Sequence, residues 1–472
     1  MVFSSLIFLF YFLPIFFIGY SFTPSKWKNS AVLIASLVFY AWGAPQFFEI
    51  ILGSSILNFV IVNRIKSAEK KSLKKLLLSI SIALNLGLLF YYKYTNFFLE
   101  NVNLLLTFNG NEPLKWSEIL LPIGISFYTF QTLTYSVDVY RKAHNPLSSI
   151  IDYLVYIFSF PQMIAGPIVR FHEIADQLSF RDNSIENRLI GFYRFAIGLS
   201  KKVLLANVLA QYADNVFNND FSQLSSTALW VAILAYTFQI YFDFSGYSDM
   251  AIGLGRMMGF SFPENFNYPY ISKSITEFWR RWHITLGNFM REYLYIPLGG
   301  NQTKTKSRMY FNLVFVFFIS GLWHGASWNF IIWGLYHGFF LIIERIFLKK
   351  WLDKIPTFLQ ISWTFIVVVI GWVFFRLTTI EDINLFFKLI FANRHTGYTF
   401  SSELILYLIL AILFSFVGSY KRIETFSNQL FNGKEWQLNR HILLFFTTGF
   451  LFYLSIVSLA SSNFNPFIYF RF

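Results

Sequence analysis

Hydrophobic residues in this sequence occur in long runs rather than at alternating positions. The runs of about 17 to 25 apolar residues are each long enough to cross a hydrocarbon layer of about 30 Å as a helix. The short segments of alternating polarity that form membrane β-barrels are missing from the pattern. The pattern therefore predicts an all-α, polytopic membrane protein.

The least interrupted runs lie towards the two ends of the chain. The first run has no basic leader and no small-residue cleavage site, so it is interpreted as a retained span rather than a signal peptide. With the less regular segments between them, the runs predict about ten to twelve spans. The clearest spans are expected at about 3–21, 30–45, 47–63, 76–92, 329–347, 360–376, 403–418 and 441–460.

The middle of the chain carries polar residues inside its hydrophobic segments. Pro, Gly, Asp, Gln and Tyr interrupt stretches such as "YIFSFPQMIAGPIVRF". These residues are tolerated at membrane depth where they are buried in protein or line a wet cavity. We therefore expect broken or re-entrant helices in a core that carries the chemistry (119–348). With N-terminal spans (1–118) and C-terminal spans (349–472), this core would form a single membrane domain, 1–472.

Composition supports a membrane location. Of the 472 residues, 55% are hydrophobic and 13% are charged, well below the roughly 25% charged residues of soluble domains. The net charge of +13 comes from Lys and Arg in short loops, as the positive-inside bias requires, so no nucleic-acid partner is predicted. The loop 64–75, "RIKSAEKKSLKK", is expected in the cytoplasm. The absence of cysteine excludes a cysteine-based metal site and a cysteinyl acyl-enzyme, and no metal site is predicted.

An aromatic and basic segment occupies residues 274–301, "SITEFWRRWHITLGNFMREYLYIPLGGN". Its apolar side chains recur at helical spacing, which predicts an amphipathic helix lying in a membrane interface. The apolar face would comprise Phe278, Trp282, Leu286 and Phe289.

The basic residues of this segment have a second interpretation. Arg280 and Arg281 could face an anionic ligand, such as the phosphates of a coenzyme or of a prosthetic arm. His283, beside two Trp, is either an interface anchor or a catalyst.

Two carboxylates interrupt the apolar stretch "YFDFSGYSDMAIGLGRMMGF". Asp243 and Asp249 are six residues apart, so a regular helix places them on opposite sides, where they cannot act as a paired acid and base. Because an unpaired charge at membrane depth is costly, structural ion pairs are the favoured interpretation.

His324 lies in a run, Met309 to Ile343, that contains no Asp, Glu, Lys or Arg. As one straight helix this run would be about 52 Å long, longer than a bilayer is thick, so we expect a break between Gly321 and Asn329.

Two interpretations of His324 stay open on these features. It could be a neutral imidazole that makes one interhelical hydrogen bond, or a general base that deprotonates a hydroxyl. His337, on the next predicted span, is assigned to helix packing.

Several long motifs follow one another along the chain: "FPQMIAGPIVRF", "FDFSGYSDMAIGLGRMMGF", "FPENFNYPYISKSITEFWRRWHITL", "YLYIPLGGN" and "GLWHGASWNF". In this order they resemble the membrane-bound O-acyltransferases (MBOAT), in particular the bacterial branch that acetylates alginate or peptidoglycan. The resemblance extends to "VFSSLIFLFYFLPIFF" and "SSNFNPFIYFRF" near the two ends, so it covers most of the chain.

The resemblance implies an MBOAT-type helical bundle in the bacterial cytoplasmic (inner) membrane. The family's invariant histidine falls on His324 and its second histidine on His283, while Arg280 and Arg281 would contact the donor. The donor would be a cytoplasmic acyl thioester such as acetyl-coenzyme A, a co-substrate rather than a permanently bound cofactor. The acetyl group would cross the membrane to a periplasmic or extracellular esterase-like partner protein that acetylates a cell-envelope polysaccharide.

The resemblance also gives an expected mechanism. His324 would accept the proton of an acceptor hydroxyl as its oxygen attacks the thioester carbonyl, and His283 or an Arg would stabilise the oxyanion. Two alternatives stay open: transfer of D-alanine from a carrier protein towards teichoic acid, and a transporter in which Asp243 and Asp249 line a path.

Overall fold

A computed structural model describes residues 2–392, 394, 400–423, 425, 438–462 and 464–467. Every regular element within these ranges is a helix, which confirms the all-α prediction. The contacts divide the chain into two compact units. Unit 1 comprises Met1–Arg188 and Gly255–Pro263, and unit 2 comprises Leu189–Leu254 and Glu264–Phe472.

Two helices of unit 1 share a buried polar network. Ser81 Oγ and Asn85 Nδ2 both donate hydrogen bonds to Asn58 Oδ1, at 2.6 and 3.0 Å, so that polar side chains on two helices satisfy each other. The helices of this unit are α1 (Phe8–Phe22), α2 (Lys28–Gly43), α3 (Pro45–Ser67), α4 (Lys71–Phe108), α5 (Ile125–Arg141), α6 (Ile150–Phe158), α7 (Phe160–Met163) and α8 (Phe171–Ser179).

The remaining helices have most or all of their residues in unit 2. A π-helical turn, Lys201–Ala206, joins the first two of them. They are α9 (Ile185–Ser200), α10 (Asn207–Phe217), α11 (Ser226–Met257), α12 (Ile275–Arg281), α13 (Ile284–Phe289), α14 (Lys306–His324), α15 (Trp328–Leu352), α16 (Thr357–Arg376), α17 (Ile380–Ile390), α18 (Ser402–Ser419) and α19 (Leu438–Ser461).

Seven helices in the described part of the chain are long and apolar enough to cross a membrane: α3, α4, α11, α15, α16, α18 and α19. Six of them coincide with predicted spans. The predicted spans at about 3–21 and 30–45 correspond to the shorter helices α1 and α2. The protein is thus a helical membrane protein, whereas the total of ten to twelve spans and the re-entrant helices are not confirmed.

The seventh helix, α11, departs from the prediction that the middle of the chain is broken. It is continuous over 32 residues although it contains Asp243 and Asp249. Of the most apolar 18-residue segment of this helix, 78% is buried inside the protein. A continuous helix can therefore carry these carboxylates, provided that neighbouring helices neutralise them.

Basic residues from the α9–α10 region supply that neutralisation. Lys202 Nζ lies 2.9 Å from Asp243 Oδ1, and both side chains are almost fully buried. Asp249 binds Arg194 and Lys201 at 2.6 and 2.7 Å. The interpretation of the two carboxylates as members of structural ion pairs is confirmed.

We predict that Lys202→Met destabilises unit 2 by about 3 to 5 kcal/mol, because it leaves the Asp243 carboxylate buried without its cation. The double variant Lys202→Met/Asp243→Leu should recover most of this loss, since it removes both charges. The stability of both variants is measured in detergent by heating the protein and determining the remaining folded fraction by size-exclusion chromatography. Equal stability of the single variant and the parent protein would contradict the prediction.

The apolar run around His324 folds into a helical hairpin. Helix α14 ends at His324, Gly325 to Ser327 form the turn, and α15 begins at Trp328, which confirms the predicted break. The two helices pack with their backbones nearly in contact. A Cβ placed on Gly321 would lie 2.3 Å from the carbonyl oxygen of Phe330.

The same close contact recurs one step further along the hairpin. A Cβ on Gly334 would lie 2.3 Å from the carbonyl oxygen of Phe317, whereas one on Gly338 would meet its nearest atoms at an ordinary 3.5 Å. The hairpin therefore requires glycine at Gly334 but not at Gly338.

We predict that Gly334→Ala lowers the stability of the protein by about 1 to 3 kcal/mol, because the added methyl group forces the two backbones apart. Gly338→Ala is the matched control on the same helix and should leave stability unchanged or slightly higher. The midpoint of thermal unfolding in detergent compares the two. Similar midpoints for the two variants would show that the close contact is not needed.

Candidate active site

His324 lies at the tip of the hairpin, in a cage of aromatic rings. Its ring centroid is 5.0 Å from those of Trp323 and Trp333 and 5.2 Å from that of Phe375. The histidine is 7% exposed. A titratable ring is thus held beside a break in the helix, in surroundings from which bulk water is nearly excluded.

The segment that carries His283 is not the single amphipathic helix that the sequence predicts. Helix α12 begins after Ser274, whose Oγ accepts a hydrogen bond from the Glu277 amide. It ends at Arg281, and Trp282 is extended. His283 then adopts φ 44° and ψ 52° before α13 begins. A left-handed backbone at a residue other than glycine is uncommon and costs free energy, so the surrounding contacts hold it there.

The apolar face of this segment packs inside the protein rather than against a membrane interface. Phe278 and Trp282 are fully buried, and the Trp282 ring contacts Trp372 at 4.8 Å. The helical spacing of the apolar residues was predicted correctly. The prediction of an interfacial helix was wrong, because the same spacing also suits two short helices buried in a protein core.

Asn265 fixes the orientation of the His283 ring. Its Oδ1 accepts a hydrogen bond from the Thr285 amide at 3.3 Å, and since an amide N–H can only donate, the facing atom must be the oxygen. His283 Nδ1 lies 3.0 Å from the same Oδ1 and therefore carries the proton. The ring then presents an unprotonated Nε2.

Burial holds the pKa of His283 well below its ordinary value, because the charged imidazolium loses its hydration in an apolar environment. The ring is consequently neutral at pH 7. With its single proton donated to Asn265, it can accept a hydrogen bond at Nε2 but cannot donate one there. This geometry does not suit the expected role of His283 in stabilising an oxyanion.

The structure brings the two histidines together. The Trp323 ring lies 6.1 Å from His283 and 5.0 Å from His324, so a single indole contacts both. Asp243 forms the ion pair with Lys202, and Asp249 forms ion pairs with Arg194 and Lys201. The carboxylates of α11 are therefore assigned to ion pairs rather than to the base of the site.

The two candidate donor-binding arginines differ in their surroundings. Arg280 is exposed. Arg281 instead binds Glu277 at 2.9 Å and the carbonyl oxygen of Asn267 at 3.1 Å, so it ties α12 to the preceding loop. Of the two, Arg280 has the side chain that can reach an anionic ligand.

Glu344 is a structural residue that sequence reasoning missed. Its buried carboxylate accepts hydrogen bonds from the Ile275 amide and, at 2.9 and 2.7 Å, from the amide and hydroxyl of Thr276. A carboxylate at the first turn of α12 is also favoured by the helix dipole. Asn265 was missed as well, because nothing in "FPENFNYPY" distinguishes an orienting amide from a loop residue. The only signal for Glu344 is that it ends the charge-free run.

These features define an integral membrane protein with a buried two-histidine site. The sequence profile of the membrane-bound O-acyltransferase (MBOAT) family matches residues 75–381. A probable alginate O-acetylase of Pseudomonas putida is 40% identical over the full length of both chains. A peptidoglycan O-acetyltransferase of Helicobacter pylori is 38% identical, over 81% of this chain and 78% of its own. The chain therefore belongs to the membrane-bound O-acyltransferase family and is an O-acyltransferase.

We predict that Asn265→Ala lowers acyltransferase activity by at least about tenfold, because the His283 ring loses the acceptor that sets its tautomer. The matched control is Ser248→Ala. It removes the hydrogen bond from Asn265 Nδ2 to Ser248 Oγ but leaves Oδ1 in place, so activity should fall by less. Initial rates at equal amounts of folded protein measure the difference. Equal losses in the two variants would contradict the orienting role.

Proposed function

We propose that the protein takes an acetyl group from a cytoplasmic thioester donor and passes it across the bacterial inner membrane for O-acetylation of a cell-envelope polysaccharide. The observation that carries this proposal is the buried His324 at a helix break, next to the small residues Gly325, Ala326 and Ser327. The similarity to alginate and peptidoglycan acetyltransferases supports acetyl as the cargo.

In the proposed reaction, His324 is the general base. The ring accepts the proton of an acceptor hydroxyl while the hydroxyl oxygen attacks the thioester carbonyl, and the leaving thiolate is then protonated to the thiol. Without any cysteine in the chain, direct transfer between the two substrates needs the fewest steps. Because water is nearly excluded at His324, hydrolysis of the thioester is suppressed.

We assign His283 a different part from the expected one. Its Nε2 can accept a hydrogen bond from a water molecule or from a second hydroxyl group of the acceptor, since the attacking hydroxyl gives its only proton to His324.

Basic residues at the open end of the hairpin support the proposed side of donor entry. They flank the start of α14 and the end of α15, and the positive-inside bias supports the proposal that this end faces the cytoplasm. A thioester donor such as acetyl-coenzyme A would place its phosphates there. These residues are Lys304, Lys306, Arg308, Arg345, Lys349 and Lys350.

On the opposite side, the proposed acceptor hydroxyl belongs to a periplasmic or extracellular esterase-like partner protein or to the polysaccharide itself. The second candidate function is transfer of D-alanine from a carrier protein. A teichoic acid D-alanyltransferase of Bacillus subtilis is 30% identical, but over 52% of this chain and 65% of its own. The wider coverage of the acetyltransferases favours acetyl transfer. The ion pairs at Asp243 and Asp249 argue against a transport path along α11.

We predict that His324→Ala abolishes O-acetylation, with a loss of at least about 100-fold in rate, because the general base is removed. Ester-linked acetate released from isolated cell envelopes by mild alkali measures the effect. His144→Ala, which removes a histidine that binds Asp176 in unit 1, is the control and should retain activity. Unchanged acetylation in the His324→Ala protein, inserted at normal levels, would rule out the proposed role.

The two cargoes are separated by supplying them to the purified protein. Labelled acetyl-coenzyme A should transfer its label to a hydroxyl acceptor, whereas a D-alanyl carrier protein should not. Transfer from the D-alanyl carrier alone would replace the first proposal by the second.

A further inference from the structure

His337 is a buried histidine for which the proposed reaction has no use. It is 0% exposed, and neither Nδ1 nor Nε2 has a hydrogen-bond partner among the described residues. A neutral imidazole has one donor and one acceptor. Leaving both unmet in an apolar interior costs free energy, and native proteins satisfy nearly all such groups. Helix packing, the role predicted from the sequence, does not account for the imidazole, because a phenyl ring would fill the space without this cost.

Two indole rings next to His337 also carry buried polar groups that are not hydrogen-bonded within the described part of the chain. The Nε1 atoms of Trp279 and Trp333 are buried and have no hydrogen-bond partner among the described residues. The ring centroids lie 5.0 Å (His337 to Trp279), 5.2 Å (His337 to Trp333) and 5.5 Å (Trp279 to Trp333) apart. We call these three side chains the His337 cluster. It concentrates three N–H donors and one nitrogen acceptor in an otherwise apolar core.

The cluster lies between the two ends of the proposed donor site. Trp333 is in contact with His324, with 5.0 Å between their rings. In the other direction, His337 and Arg345 are on the same helix, and at 1.5 Å per residue they are about 12 Å apart along its axis. A donor whose phosphates lie at the basic end of the hairpin must pass this level of α15 for its thioester to reach His324.

We propose that the His337 cluster binds the amide groups of the pantetheine arm of the donor. The proposal rests on the function proposed above. Coenzyme A and an acyl carrier protein present the same arm, and its amides offer what the cluster lacks: carbonyl oxygens accept from the N–H groups, and an amide N–H donates to the imidazole nitrogen. The arm is a better match than the polysaccharide acceptor, which approaches from the opposite side of the membrane.

The neighbouring helix α16 packs closely against the edge of the His337 ring at Gly371. A Cβ placed on Gly371 would lie 2.8 Å from His337 Nε2 and 3.2 Å from Cε1. The imidazole edge therefore faces a position where even a methyl group would intrude. Gly371→Ala offers a second way to disturb the site without changing any polar group.

The test compares His337→Phe with the parent protein, because phenylalanine keeps the ring and removes both nitrogens. We expect the dissociation constant of coenzyme A, measured by isothermal titration calorimetry in detergent, to rise about tenfold. The inhibition constant of pantetheine, which has the amides but no phosphate, should rise by the same factor. Arg280→Gln should weaken the binding of coenzyme A but not that of pantetheine, because pantetheine has no phosphate to contact the arginine. The Michaelis constant for an acyl-loaded carrier protein, compared between His337→Phe and the parent protein, shows whether the same site also binds a pantetheine arm that is attached to a carrier protein.

Matched tryptophan variants provide the control. Trp279→Phe removes an indole N–H from the cluster and should weaken pantetheine binding. Trp363→Phe removes another buried indole N–H without a hydrogen-bond partner, one whose ring contacts Phe340 instead, and should leave binding unchanged. Gly371→Ala should weaken pantetheine binding, as Trp279→Phe does.

The outcomes separate the two proposals. If His337→Phe binds coenzyme A and pantetheine as tightly as the parent and is equally or more stable, the His337 cluster is only a packing element and the inference is overturned. Acetyl transfer by the parent protein would then still support the proposed function. If the parent binds neither coenzyme A nor a pantetheine-loaded carrier, both proposals are wrong.

Discussion

The backbone contact between α14 and α15 at Gly321 and Gly334 is the constraint on which the rest of the site depends. It lets two apolar helices approach so closely that the connecting turn needs only Gly325 to Ser327. The turn sets His324 at the hairpin tip, and the close packing brings Trp333 of the returning helix against its ring. Small residues that permit backbone contact are the usual means of helix association in membranes, where apolar burial alone gives no preference.

Electrostatic pairing is the second organising feature of unit 2. Its buried carboxylates at Asp243 and Asp249 meet Lys202, Lys201 and Arg194, so α11 stays helical through a region rich in polar residues. Buried ion pairs add little net stability compared with apolar packing. Their effect here is to prescribe which helices can be neighbours, since only the correct arrangement neutralises every charge.

Sequence reasoning predicted the features that follow from length and charge. The break near His324 followed from a run too long for one bilayer crossing, and the pairing of Asp243 followed from the cost of an isolated charge. It could not predict the division of 274–301 into two helices, because Phe278, Trp282 and Leu286 keep the same spacing on either side of the left-handed residue. The roles of Asn265 and Glu344 depend on contacts between residues 18 to 69 positions apart, which no local pattern records.

The carboxylate of Glu344 has a mechanical consequence. It belongs to the hairpin helix α15 but holds the first turn of α12, the helix that leads into His283. The segments that carry the two histidines are thus held together at two places. At one end the Glu344 carboxylate accepts hydrogen bonds from Thr276, and at the other the Trp323 ring contacts both histidines. A movement that separates the two histidines would have to break one of these contacts, so they oppose the separation of the hairpin from the "RRWH" segment.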